Sequence, residues 1–197
     1  MPVSHNSQTR DSTDIPRIAF QGILGAFSEL AIQQHWPNGA TPVPNESFED
    51  ALSCALMGNA DFAVIPIENA IAGVVHDAIA ALDAMEAQLH RHAEIQLLVQ
   101  LCLMALPGAT LSELRVVRSH PMALGQCRIF CARHAWLQPQ SHADTAGAAR
   151  EVASLGDRTL GAIASESAAR HYGLEILAHS IQDVPANWTR FVVVSKR

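Results

Sequence analysis

Short apolar runs alternate along the chain with longer stretches in which apolar residues recur at helical spacing. Arg17-Ile18-Ala19-Phe20-Gln21 reads as a strand, followed by the glycine-bracketed turn Gly22-Ile23-Leu24-Gly25 and a helical stretch from Ala26 to about His35. Ser47 is placed to cap a helix over Phe48 to Met57, with Asp50 three residues on as an imperfect capping box. The apolar run Phe62-Ala63-Val64-Ile65-Pro66-Ile67 predicts a strand that stops at Glu68-Asn69, and residues 72–89 read as one long helix. Further strands are expected over 93–103, 114–117 and 159–163, and further helices over 122–134, 146–155 and 166–172. A last strand runs through Val192-Val193-Val194. Short strands alternating with helices predict an α/β fold with mostly parallel pairing. No internal repeat, low-complexity block or Pro-rich linker marks a boundary.

Composition narrows the class. Of the 197 residues 49% are hydrophobic but only 5% aromatic, so the core must be built from Ala, Leu, Ile and Val, as in helices packed on sheets. A formal net charge of −6 argues against a nucleic-acid surface, and it requires any anionic ligand to be held by locally placed donors. No apolar run approaches the roughly 20 residues that span a bilayer, so no membrane association is expected. Residues 1–16 are polar and lack the apolar middle of a secretory signal; they read as a disordered leader on a cytoplasmic protein. Cys54, Cys102, Cys127 and Cys131 sit in apolar stretches and read as free buried thiols. Cys127, Cys131 and His134 could share a helical face, but no fourth ligand is evident, and neither a metal nor a cofactor is expected.

The polar positions carry the chemistry. In Ile181-Gln182-Asp183-Val184-Pro185-Ala186-Asn187-Trp188-Thr189-Arg190-Phe191, a turn of Asp, Pro and Asn delivers a hydroxyl and a guanidinium onto the start of a strand. That pair suits a carboxylate, which a planar Arg fork binds at two points; it is equally the chemistry of an edge strand with one solvated Arg. Four other segments end strands or open helices with small hydrogen-bonding residues: Gly22 to Ser28, Glu68-Asn69, Ser119-His120-Pro121 and Asp144-Thr145. Ligands of open α/β sheets lie at such places, and helix capping selects the same residue types.

Six motifs decide between these readings. Gln21-Gly22-Ile23-Leu24-Gly25-Ala26-Phe27-Ser28-Glu29, Val64-Ile65-Pro66-Ile67-Glu68-Asn69, Ser119-His120-Pro121-Met122-Ala123-Leu124-Gly125-Gln126-Cys127, Asp144-Thr145-Ala146-Gly147-Ala148-Ala149, Tyr172-Gly173-Leu174 and Asn187-Trp188-Thr189-Arg190-Phe191 together resemble, in order, the prephenate dehydratase and arogenate dehydratase family. The resemblance runs from about Arg17 to Val194. It implies two α/β subdomains around a cleft, similar to type II periplasmic binding proteins, the first over 17–90 plus 181–197 and the second over 91–180. It also implies a carbon–oxygen lyase of phenylalanine biosynthesis that removes carbon dioxide and water from prephenate or arogenate. Its partners would be that small molecule and, as a homo-oligomer, copies of itself.

By position in these motifs, Thr189 is the catalytic candidate. An unperturbed Thr is a very weak acid, so its part is a hydrogen bond that strengthens as charge builds on the departing hydroxide. Arg190 either anchors a carboxylate or holds the Thr189 loop. Phe191, Glu68, Asn69, Ala70 and Asn187 are expected at the substrate site from one side of the cleft. Gly25, Ala26, Ser28, Ser119, His120, Pro121 and Thr145 are expected there from the strand ends and helix starts. Ala70, Leu101 and Met122 replace residues that are polar in many family members, which implies a more apolar pocket. Only six residues follow Phe191, too few for the phenylalanine-binding ACT domain of most relatives, so insensitivity to phenylalanine is an expectation. Two alternatives are a decarboxylase of specialised metabolism that leaves the ring non-aromatic, and a solute-binding module; retention of Thr189 speaks against both.

Overall fold

The computed structural model describes residues 15–197, so almost all of the leader read over 1–16 lies outside the described residues. In chain order the first lobe contains β1 (Arg17–Gln21), α1 (Phe27–His35), β2 (Thr41–Asn45), α2 (Phe48–Leu56), β3 (Phe62–Asn69), β4 (Gly73–Val74), α3 (His76–Met85) and β5 (Leu89–Leu98). The second contains β6 (Cys102–Ala105), β7 (Val116–Ser119), α4 (Pro121–Gly125), α5 (Arg128–Arg133), β8 (Gln138–Ser141), α6 (Thr145–Leu155), β9 (Leu160–Ala164), α7 (Glu166–Tyr172) and β10 (Glu175–Ala178). The chain then returns, and β11 (Trp188–Lys196) completes the first sheet. That sheet runs β2-β1-β3-β11-β5, with β4 hairpinned onto β3; the other runs β10-β6-β9-β7-β8.

The expectation of mostly parallel pairing is corrected. β1–β2, β1–β3, β7–β8 and β7–β9 are parallel, but β11 is antiparallel to β3 and β5, and β6 is antiparallel to β9 and β10. The strands that enter a lobe from the other one are those that run against their neighbours. The crossing point also differs from the reading near 90. β5 pairs with β11 as far as Leu98, so the chain crosses at 99–101 and returns over 179–187. The two crossing segments hold each other through Val99 N–H to Asn187 O at 2.7 Å and Ile181 N–H to Leu101 O at 2.9 Å.

Local chemistry explains the remaining differences. The helix expected over 72–89 starts only at His76, because Gly73 takes a left-handed φ of 79° and Val74 pairs back onto Glu68. The helix over 122–134 breaks at Gln126-Cys127, where the Asp183 carboxylate accepts the Arg128 and Ile129 N–H groups and starts α5 afresh. The expected strand over 93–103 is two strands in two sheets. β2 went unread because it carries Pro42 and Pro44; as an edge strand it needs no N–H donors on its outer side. Ser47 caps α2 as expected, through Asp50 N–H at 3.0 Å.

Both faces of the first sheet are covered. Val192 and Val194 pack with Leu52 of α2 and Leu82 of α3, while Phe191 and Val193 pack with Ile32 of α1. β11 therefore alternates cleanly between two buried faces, and this alternation fixes where Thr189 and Arg190 point.

Candidate active site

Between the lobes lies a cavity of about 960 Å³. The first lobe supplies the loop after β1 and the start of α1, the β2–α2 turn, and the ends of β3 and β11; the second supplies α4 and the start of α6. Val99, Leu101 and Asn187 of the crossing segments also line it. Of the residues expected at the site, Ala26, Ser28, Asn69, His120, Thr145, Asn187, Thr189 and Phe191 line this cavity.

A bulge brings the central pair together. In the β3–β11 ladder Thr189 faces Asn69 and Arg190 faces Glu68, but Phe191 faces Pro66, so Ile67 is the extra residue. Ile65 and Ile67 point into the core beneath α2 and α3. Without the bulge Asn69 would follow them; with it, Asn69 shares the cleft face with Pro66 and stands beside Thr189.

Asn69 is then held from both ends. Its Oδ1 accepts the N–H groups of Ile71 at 3.0 Å and Ala72 at 2.9 Å, which fixes which end of the amide is oxygen. Its Nδ2 consequently faces Thr189 Oγ1 at 2.9 Å, Asn187 Oδ1 at 3.0 Å and Trp188 O at 3.0 Å. Thr189 Oγ1 is an acceptor in that bond, so its own proton is free to be donated to a ligand. Asn187, fully buried, donates onward to Gln126 Oε1 of the second lobe at 2.9 Å. A polar chain thus links Thr189 through Asn69 and Asn187 to Gln126, and each member polarises the next.

Further donors converge on the cavity. α1 has no side-chain cap, and among the described residues the N–H groups of Phe27 and Ser28 and the Ser28 hydroxyl have no partner. Free N–H groups and a hydroxyl at a helix start form an anion subsite, one that works without a cation. Thr145 opens α6 beside Asp144, whose carboxylate is occupied in capping Gly147 N–H. His120 Nδ1 accepts Met122 N–H at 3.2 Å, which leaves Nε2 as the outward ring atom.

Other expected site residues are placed differently. Arg190 lies on the opposite face of β11 from Thr189, its Nη2 2.6 Å from Glu68 Oε2 and its Nη1 3.5 Å from Glu94 Oε2. Neither Arg190 nor Glu68, both expected at the substrate site, lines the cavity; strand alternation turns both away from it. Ala70, also expected there, is exposed and lies outside the cavity lining. Ser119 is buried with its hydroxyl on Ile163 O, and Pro121 is the first residue of α4, so both shape the wall behind His120. Gly25 lies behind the lining as well. At φ 88° an added Cβ would sit 2.7 Å from Ala168 Cα of the other lobe. The loop before it is pinned there by Ser165 Oγ–H to Gly25 O at 2.5 Å and Tyr172 O–H to Leu24 O at 2.7 Å.

Gln126, Glu46 and Pro66 line the cavity without having been singled out in the sequence. Gln126 stood inside a quoted motif, but only its contact with Asn187 distinguishes it from a helix-end residue. The thiols take no part. Burial pushes Cys127 up to about 12 and also raises Cys102, so neither is a thiolate near neutral pH. Among the described residues no group of three His, Cys, Asp or Glu is placed to hold a metal, and no helix is long and apolar enough to cross a membrane.

Comparison with known proteins agrees with the motifs. A family model described as "Prephenate dehydratase" matches residues 18–197. "Arogenate dehydratase/prephenate dehydratase 1, chloroplastic" of Arabidopsis thaliana is 43% identical over 180 residues, 91% of this chain and 45% of that protein. A "Bifunctional N-acyl-homoserine lactone acylase/prephenate dehydratase" of Komagataeibacter europaeus is 39% identical over 91% of this chain and 63% of its own length. The chain thus spans about half the length of the plant relatives. Among solved structures, the prephenate dehydratase of Arthrobacter aurescens in complex with L-Phe superposes with a TM-score of 0.80 at 31% identity, over 92% of this chain and 60% of that one. GqqA, described as a novel type of quorum quenching acylase, superposes with a TM-score of 0.84 at 40% identity, over 92% and 64%.

Proposed function

The chain belongs to the prephenate dehydratase family, and from that premise we propose that it removes carbon dioxide and water from prephenate or arogenate, giving phenylpyruvate or phenylalanine. The observation that carries this reading is the Thr189 hydroxyl, which accepts from an Asn69 amide of fixed orientation and so keeps its proton for a leaving group. As the ring carboxylate departs, its C–C bonding pair moves into the ring, the ring aromatises, and hydroxide leaves from the opposite carbon. Thr189 O–H donates to that oxygen, and the Asn69 N–H on Oγ1 makes the hydroxyl a better donor. The Phe27 and Ser28 N–H groups and the Ser28 hydroxyl suit the side-chain carboxylate that stays behind. Arg190, tied to Glu68 and Glu94, holds β11 in register instead of touching the ligand. Incubation of the protein with each substrate, following carbon dioxide together with phenylpyruvate or phenylalanine, tests the reading; equal yields of carbon dioxide and aromatic product are expected.

The four free cysteines support a reducing compartment, the cytoplasm, as part of this reading. A homo-oligomer goes with it, to be checked by light scattering.

A second activity is suggested by the names of two relatives and by the apolar wall of Ile23, Val74, Val75 and Leu101, which could take an acyl chain. Release of homoserine lactone from an N-acyl-homoserine lactone tests it. Among the described residues no His, Asp, Glu or Lys is hydrogen-bonded to the Thr189 hydroxyl, so the dehydratase reading is preferred.

A further inference from the structure

Charge around the cavity is lopsided. Among the described residues that line it there is no Arg and no Lys, although both candidate substrates are dicarboxylates. The lining does contain two carboxylates, Glu46 and Asp144. Asp144 is engaged as the cap of α6. Glu46 is exposed, and among the described residues its carboxylate has no partner; only its backbone carbonyl is used, by Gln21 Nε2 at 3.5 Å.

The segment that carries Glu46 is well fixed. Gly22 N–H donates to Asn45 O at 2.9 Å, Asn45 Nδ2 to Val43 O at 2.7 Å, and Ser47 caps α2 through Asp50. The turn therefore presents a free carboxylate on the wall of a cleft built for an anion, which raises the cost of binding a ligand of charge −2. That cost becomes a gain if the ligand brings its own cation. The amino-acid substrate does so: arogenate carries an ammonium group where prephenate carries a ketone.

We propose that Glu46 pairs with the substrate ammonium group and makes the cleft select arogenate over prephenate. The anion subsite at the start of α1 and the Thr189 donor are indifferent to this choice, since both substrates share the carboxylates and the ring hydroxyl. Glu46 is therefore the group in the lining that can tell the two apart by charge. This inference rests on the dehydratase reading and deepens it.

The test is steady-state kinetics on the full chain with arogenate and prephenate separately, comparing the natural protein with Glu46→Gln and Glu46→Lys, with circular dichroism to confirm folding. The natural protein should prefer arogenate. Glu46→Gln should lower kcat/KM for arogenate by about tenfold or more, the scale of a lost charge-assisted hydrogen bond, and leave prephenate unchanged or improved. Glu46→Lys should reverse the preference. Turnover with an unchanged arogenate-to-prephenate ratio in both folded variants overturns the role of Glu46 alone. No turnover of either substrate by the natural protein removes the dehydratase reading, and this inference with it.

Discussion

Asn69 and Thr189 stand opposite each other in the β3–β11 ladder, and the Asn69 amide donates to the Thr189 hydroxyl at 2.9 Å. The pairing exists because one extra residue, Ile67, shifts the phase of β3 just before Asn69. A hydroxyl whose acceptor side is already occupied by a fixed donor can present only its proton or a second lone pair to the cleft. Thr189 is thereby oriented before any ligand arrives.

Thr189→Val keeps the shape of the side chain and removes this donor. We expect kcat to fall by about two to three orders of magnitude, with ligand affinity and thermal midpoint little changed. Calorimetric titration and rate assays on the same preparation check it; undiminished turnover would take Thr189 out of the reaction.

Asn69→Asp is nearly isosteric but replaces a donor by a carboxylate facing three acceptor oxygens and two backbone N–H groups. The thermal midpoint and kcat should both drop. Protonation of the new carboxyl restores one donor, so both should recover in part as pH falls. A pH profile parallel to that of the natural protein would contradict this account.

Arg190→Lys breaks a fork between two carboxylates on a partly exposed face. Solvent screening limits the loss to about 1 kcal/mol of stability or less, and KM should stay within error. A marked rise in KM at unchanged stability would return Arg190 to direct carboxylate anchoring.

The thiols make a separate test. Burial raises Cys54, Cys102, Cys127 and Cys131, Cys127 to about 12, so the folded protein should react slowly with a thiolate-directed reagent and give four equivalents once unfolded. The sign for stability follows. An unfolded Cys127 ionises near its ordinary value of 9.0 and the folded one near 12, so stability is full below about 9 and declines as pH rises between the two. Cys54 and Cys131 are only half-buried, so it is rapid labelling of Cys102 and Cys127 at neutral pH that would show that the core opens readily.

Much of the site was legible because its residues also punctuate the fold. Thr189 and Asn187 stood out from a turn leading into an apolar run, and Ser28, His120 and Thr145 from the starts of helices. The placement of Arg190 was not legible, because chemistry alone makes a guanidinium beside a hydroxyl a carboxylate clamp, whereas its ion pairs with Glu68 and Glu94 depend on pairing of β11 with β3 and β5, far away in sequence. The bulge at Ile67 has no local signal, and neither does the break between β5 and β6, where only Gln100 interrupts the apolar run from Leu97 to Met104 and no Gly or Pro marks the crossing. Glu46 reads as an ordinary polar residue before a helix cap until it is seen on the wall of a cavity whose lining, among the described residues, holds no Arg or Lys.

β11 is an interior strand of the first sheet, between β3 and β5, yet it is made from residues that come after the whole second lobe. The second lobe is one continuous stretch and can fold as soon as its own residues are available. The first cannot: until residues 188–196 exist, β3 and β5 have no neighbour between them and Asn69 has no hydroxyl to hold. Order of synthesis therefore places the Asn69–Thr189 pair among the last contacts to form, since it closes a loop of more than a hundred residues. A shortened chain lacking this strand would lose the link between β3 and β5 and the Thr189 hydroxyl together.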